Sequence, residues 1–232
     1  MIRILYEDRD LLVCEKPSGV LSQPDGKGAD EDMIARLAAH LREQGARNPY
    51  VGLIHRLDRG VGGVMVFAKH SESAERLSQM IAQRQIEKQY LAVVHGAPET
   101  RDGVLADFLY KDAATNKSYV AERTRPGAKR AELSYRALET RLTPWGEATL
   151  VLVRLQTGRT HQIRVQFSSR ALPLIGDGKY GARDHGVPIG LWSYRLTFAH
   201  PYHRDRTVDV ACPPEGNAVF AVFSADAMTF HQ

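Results

Sequence analysis

Cysteine is nearly missing from this 232-residue chain: Cys14 and Cys212 stand far apart, with no second cysteine near either. That isolation excludes CxxC metal and redox motifs and implies two reduced, buried, small hydrophobes. Long apolar runs are also missing. The longest, Ala218 to Phe223, has six residues, against the roughly 20 that a membrane helix needs. Charged residues crowd the first ten positions, MIRILYEDRD, so no apolar core of a signal peptide is read there, and the cytoplasm is the expected address. No segment repeats at a fixed period, which argues against solenoids and propellers. What is present, 43% hydrophobic and 25% charged residues, describes a globular chain able to bury a core without disulfides or metals, as one large domain or two modest ones.

The formal net charge of +4 is unevenly placed. It is −2 over residues 1–50, +1 over 51–100, +6 over 101–170 and −1 over 171–232, and Arg supplies ten of the thirteen cations in the basic stretch. Arg offers a planar fork that matches phosphate, so a concentrated Arg surplus suits a polyanion. On composition alone, a solvated basic face explains the surplus at least as well.

Periodicity organises the chain. Ile2 to Tyr6 and Leu11 to Val13 flank a polar bend and predict a hairpin, and Pro17, Gly19, Pro24, Gly26 and Gly28 mark a loop. Residues 31–44 carry Ile34, Leu37, Ala38 and Leu41 at helical spacing. Gly63 to Lys69 reads as a strand, followed by a helix with Ser71 as its expected N-cap. Strand patterns follow at Gln89–His95, Val104–Tyr110, Ala131–Leu138, Glu147–Leu155 and Leu191–Ala199. Residues 113–130 read as an exposed basic loop or hairpin tip, and 176–188 as a second irregular stretch. Residues 157–170 fit helix or strand, and Gly158 with Thr160 favours a helix start. The predicted class is α+β, a largely antiparallel mixed sheet flanked by helices.

Three segments carry chemistry. In His55-Arg56-Leu57-Asp58-Arg59-Gly60-Val61-Gly62-Gly63, Asp58 lies between two arginines, which favour its ionised form. An ionised Asp in a glycine-rich turn is a candidate nucleophile or base, although an Asp that merely caps a turn has the same local sequence. Thr157-Gly158-Arg159-Thr160-His161-Gln162-Ile163-Arg164 gathers the side chains that contact phosphates, sugars and base edges. Tyr90, in the apolar run Glu87 to Val94, is by itself a core or strand residue.

Together these segments resemble the RNA pseudouridine synthases, specifically the RluA-type branch that acts on large-subunit rRNA and tRNA. His55-Arg56-Leu57-Asp58 resembles the catalytic motif, and Lys88-x-Tyr90-x-Ala92-x-Val94 and Thr157 to Val165 resemble the second and third. Lys16-Pro17-Ser18-Gly19 and Gly176-Asp177-Gly178-Lys179-Tyr180-Gly181 are similar to two family loops. All five occur in family order. One departure is visible: the family's usual Thr-Ser-Gly after the Asp is Val61, Gly62 and Gly63 here, so two hydroxyls that could orient the loop are missing.

The resemblance implies a single catalytic domain over residues 1–232 with a central catalytic cleft and no N-terminal accessory RNA-binding domain. It implies isomerisation of uridine to pseudouridine without cofactor or metal, on rRNA or tRNA, by a monomer. Asp58 would be the essential carboxylate, acting on the sugar C1′ or on the base. Tyr90 would stack on the uracil and relay a proton, and Arg164 would pair with Asp58. A uridine in structured RNA must first leave its stack, at a cost of a few kcal/mol, and Arg56 could fill its space or hold its phosphate. Expected RNA contacts are His55, Arg56, Arg59, Arg159, Thr160, His161 and Gln162, with Arg123, Arg125, Lys129 and Arg130 on the basic loop. His55 and His161 read as hydrogen-bonding residues and not as metal ligands, and His200-x-x-His203 is too isolated for zinc. The competing readings are an RNA-binding protein that has kept the fold without turnover, and a glycoside hydrolase, which would want a second acid facing the bond.

Overall fold

The computed structural model describes residues 2–26 and 31–228. They form two compact units, one from the residues up to Lys88 with Ser193–Pro213, the other from Gln89–Trp192 with the residues from Pro214 onward.

In the first unit β1 (Ile4–Glu7) and β2 (Leu11–Lys16) form the predicted hairpin. β2 runs antiparallel to β4 (Gly62–Ala68), which is buried along its whole length. The short β3 (Gly52–Leu53) pairs with Phe67 and Ala68 of β4. β10 (Leu191–Ala199), in this unit from Ser193 onward, pairs antiparallel with β11 (Thr207–Ala211), giving the order β1-β2-β4-β10. Two helices accompany these strands. α1 (Met33–Glu43) buries Met33, Leu37 and Leu41, four residues apart, and starts at Asp32, whose carboxylate accepts from the Ile34 and Ala35 N–H groups. α2 (Ser71–Ala82) is capped by His70, not by the expected Ser71. The His70 ring accepts from the Ser73 N–H and is itself held by Asp10 at 2.8 Å, so a ring nitrogen does the work usually done by a hydroxyl.

The second unit is an antiparallel sheet in the order β5 (Glu87–His95), β9 (Gly146–Leu155), β8 (Lys129–Thr143), β6 (Asp102–Asp112), β7 (Lys117–Ala121), with Gln89 of β5 as its first residue. The stretch expected to be an exposed basic loop or hairpin tip therefore contains a strand, β7, at the sheet edge. β6 and β7 form a hairpin through a turn at 113–116, in which Asp112 accepts from the Ala114 N–H and the Thr115 hydroxyl. The ambiguous 157–170 segment is helical as α3 (Gln162–Ser168). Its face packs on the sheet where Leu109, Ala131, Val165 and Tyr180 form one buried cluster. A short α4 spans Ala225–Met228. The observed class is the α+β one expected.

Candidate active site

Asp58 lies in the turn that links β3 to β4. The Val61 N–H donates to the Asp58 carbonyl at 3.0 Å and closes this turn. The loop after β2 then grips the residues on both sides of Asp58. The Ser22 hydroxyl accepts from the Leu57 N–H at 3.1 Å and donates to the Leu57 carbonyl at 2.9 Å. The Gly19 N–H donates to the Arg59 carbonyl at 2.8 Å, and Arg59 Nε donates back to the Gly19 carbonyl at 3.0 Å. Beneath both loops is Lys16, fully buried at the end of β2, whose Nζ donates to the carbonyls of Pro17, Val20 and Arg59 at 3.1, 2.6 and 3.1 Å. Burial pulls the Lys16 ammonium down to about 8, and the charge of Asp58 opposes that pull.

This bracing explains how the turn survives the Val61-Gly62 departure. Val61 is 2% exposed and Gly62 is buried in β4, so the loop is held by Ser22, Lys16 and backbone bonds where hydroxyls would otherwise sit inside the fold. Gly63 is a strict requirement. Its φ is +112°, and a Cβ there would lie 2.1 Å from the Ser193 carbonyl oxygen.

Arg56 and Arg59 are exposed, and Asp58 is half-buried between them. His55 has a different place from the one expected. Its Nε2 accepts from the Val66 N–H at 3.2 Å, next to the β4 residues that β3 pairs. Burial, with Lys88 nearby, pushes the ring down to about 3, so it is neutral with its proton on Nδ1. His55 extends the β3–β4 ladder, a use of the ring that the sequence reading did not assign to it. Lys88, from the second motif, is also lowered by burial.

The second unit carries the other motif residues. Tyr90 is buried in β5 opposite Val153 of β9. Arg164, on α3, makes a bidentate pair with Asp177, Nε to Oδ2 at 2.7 Å and Nη2 to Oδ1 at 2.8 Å. Their side chains are 11% and 1% exposed. Asp177 thus fixes the plane of the guanidinium, a role the sequence reading did not assign to it. Tyr180 joins three segments: its hydroxyl accepts from the Ser118 N–H of β7 at 2.8 Å and shares a hydrogen bond of 2.8 Å with His161 Nδ1, while its ring lies 5.1 Å from the Arg164 guanidinium. Ser118 in turn donates to the Thr160 carbonyl at 2.8 Å. His161 occupies the left-handed region at φ 54° just before α3, which aims its ring at Tyr180.

Gln162 is buried, and its amide is spent inside the third motif. Its Oε1 accepts from the Thr157 hydroxyl at 2.8 Å and the Arg159 N–H at 3.0 Å, and its Nε2 donates to the Glu132 carbonyl at 3.1 Å. It braces the turn from a buried position, where the sequence reading expected an RNA contact. Arg159 is exposed, with Nε donating to the Arg130 carbonyl at 2.9 Å, and Arg130 pairs with Glu132 at 2.6 Å. Arg123, Arg125 and Lys129 are exposed, and the Arg125 guanidinium stacks 3.9 Å from the centre of the Tyr110 ring.

Outside the motifs, Asp8, Asp10 and His200 bring possible ligand atoms within 4.8 Å of one another. These groups already serve the fold. Asp8 receives the Tyr6 hydroxyl at 2.6 Å and pairs with His200 at 2.9 Å, and Asp10 pairs with His70 at 2.8 Å.

The fold matches solved structures of one class. A structure titled human RNA pseudouridylate synthase domain containing 1 superposes with a TM-score of 0.77 at 22% identity, covering 92% of this chain and 83% of that one. Human RNA pseudouridylate synthase domain containing 4 gives 0.73 at 23% identity, covering 90% and 87%. These likenesses establish the fold. The family model described as RNA pseudouridylate synthase matches residues 10–169, and the chain belongs to that family, in its RluA-type branch. Among its relatives are an uncharacterized RNA pseudouridine synthase of Aquifex aeolicus, 33% identical over 86% of this chain and 66% of its own length, and two proteins named ribosomal large subunit pseudouridine synthase D. That of Borreliella burgdorferi is 31% identical over 84% of this chain and 60% of its own length, and that of Yersinia pestis is 35% identical over 78% and 53%. The chain thus spans between about half and two thirds of the length of these relatives.

Proposed function

We infer that the chain isomerises uridines in RNA to pseudouridine, working as a single catalytic domain. The observation that carries this reading is the double clamp on Asp58. Ser22 holds Leu57, Lys16 and Gly19 hold Arg59, and the aspartate between them is presented by a turn that is fixed on both sides. A structural turn cap needs no buried lysine beneath it, whereas a carboxylate that must meet a reacting atom gains from such preorganisation.

Asp58 is the essential carboxylate, acting on either the ribose C1′ or the uracil. Tyr90 stacks on the base and relays a proton. Arg164, held in one plane by Asp177, is the partner of the Asp58 charge. Arg56 takes the space or the phosphate of the flipped nucleotide, while Arg59, Arg159, Thr160 and the exposed cations of residues 123–130 supply backbone contacts whose strength falls with salt. The N1–C1′ bond breaks and a C5–C1′ bond forms within the same nucleotide, while the proton lost from C5 is matched by one gained at N1, so the sum of atoms and electrons is unchanged and the proposed activity calls for neither metal nor cosubstrate. Named relatives support ribosomal RNA as the substrate class, with tRNA as the alternative. No described helix is long and apolar enough to cross a membrane, and the enzyme is proposed to be a cytoplasmic monomer.

Incubation with bulk cellular RNA, followed by digestion to nucleosides and chromatography, tests this reading. Pseudouridine should accumulate at the expense of uridine without release of uracil. Uracil release would indicate a hydrolase, and no change in either would indicate RNA binding without turnover.

A further inference from the structure

The β6–β7–β8 part of the second unit has two unlike faces. Leu105 and Leu109 of β6 and Ala131 and Leu133 of β8 are buried, and Leu109 and Ala131 pack with Val165 of α3. By the alternation of a strand, Val104, Ala106, Phe108 and Tyr110 point the other way. The register places Tyr119 of β7 opposite Tyr110, and Arg130 of β8 opposite Phe108, so these side chains share the outward face. Val104 is 64% and Tyr119 41% exposed.

Charge is concentrated at the same place. Arg125 lies 3.9 Å over the Tyr110 ring, and Lys117, at the strand edge, lies 5.6 Å from the Tyr119 ring and 5.2 Å from that of Tyr180. Residues 117–130 contain five cations and a single acid, Glu122. The Arg159 hydrogen bond to the Arg130 carbonyl ties the third motif to the rim of this face. Protection of an edge strand against pairing accounts for charges along β7. It does not account for two adjacent tyrosines turned away from the core.

We propose that the outward face of β6–β7–β8 is a stacking platform for single-stranded RNA. An unpaired base lies on Tyr119 beside the Tyr110–Arg125 stack, and its phosphates meet Arg123 and Arg130. A duplex cannot use this platform, because its base faces are already stacked on one another, whereas loops and bulges expose theirs. The inference rests on the RNA-modifying reading above and adds to it the form of RNA that the enzyme engages beside its target uridine.

The test is fluorescence anisotropy with a labelled oligouridylate of about 12 nucleotides, within the usual span of such sites, and with a blunt RNA duplex of equal length. Tyr119→Ala should weaken single-strand binding about 5-fold or more, the loss expected for one stacked base, and Tyr119→Trp should restore it. Duplex affinity should not move. Arg123→Ala should instead lower the salt dependence of both probes by about one ion. Arg125→Ala gives a second probe of the stack should Tyr119→Ala melt at a lower temperature. Equal single-strand affinity in Tyr119→Ala and wild type, or equal losses on both probes, would overturn the platform. Pseudouridine formation by the wild type, scored separately, keeps the two ideas apart. Formation with a Tyr119-independent affinity sinks only the platform, and a Tyr119-dependent affinity without formation sinks only the activity.

Discussion

Replacing Lys16 with Met would keep much of the buried volume but strip three carbonyls of their donor, and an unsatisfied buried acceptor costs about 1–3 kcal/mol. Lys16→Met is therefore expected to unfold at lower denaturant and to lose turnover more than RNA affinity, since the Arg59 carbonyl beside Asp58 is one of the three. Unfolding curves together with kcat and KM check this, and an unchanged kcat would remove Lys16 from the positioning of Asp58. His55 predicts a pH effect. Its ring titrates near 3 in the fold and near 6.5 when unfolded. Between those values the unfolded chain binds more protons, so this contribution to stability is complete above about 6.5 and is lost as the pH falls toward 3, by at most about 1.4 kcal/mol per pH unit. His55→Gln keeps an acceptor for the Val66 N–H without the titration, and its stability should fall less steeply between pH 6 and 4. Parallel curves for the two proteins would refute the neutral ring. At this scale a sequence shows residue type and neighbours but not partners across the fold. Asp58 was visible through its flanking arginines and motif, whereas Ser22 lies 35 positions from Leu57 and Asp177 lies 13 from Arg164.

Among the elements, the joint between β7 and α3 has the clearest consequence. Tyr180 receives the Ser118 N–H of β7 and meets His161 at the entrance to α3. Tyr180→Phe would leave that buried N–H without its acceptor, at a cost of about 1–3 kcal/mol, and would free the edge strand from the helix that carries Arg164. Amide hydrogen exchange should speed up over Lys117–Ala121 and the start of α3 while β4 stays protected. Uniform exchange across both segments would contradict the joint. The same region shows why part of the architecture was legible and part was not. Leu191–Ala199 and Glu147–Leu155 alternate or run apolar between turn residues, and their strands appear almost where periodicity placed them. β7 reads KSYVA within a polar, basic stretch, and its identity as a strand comes from pairing with β6, not from its own pattern. The cap of α2 was misread for a related reason, because the helix begins at a histidine whose ring is aimed by Asp10, some 60 residues away.

For the molecule as a whole, the net charge of +4 conceals a basic segment of +6 over residues 101–170, and the structure places much of it on the β6–β7–β8 face and around the third motif. Electrostatic attachment of RNA there predicts an affinity that falls linearly with the logarithm of salt concentration. The proposed chemistry, in contrast, depends on one carboxylate. The most direct measurement compares wild type with Asp58→Asn, at matched RNA and enzyme concentrations, for both pseudouridine in digested RNA and RNA affinity. Pseudouridine made by the wild type and absent with Asp58→Asn, at an RNA affinity close to that of the wild type, is the predicted result. Pseudouridine formed at a comparable rate by Asp58→Asn would contradict the account.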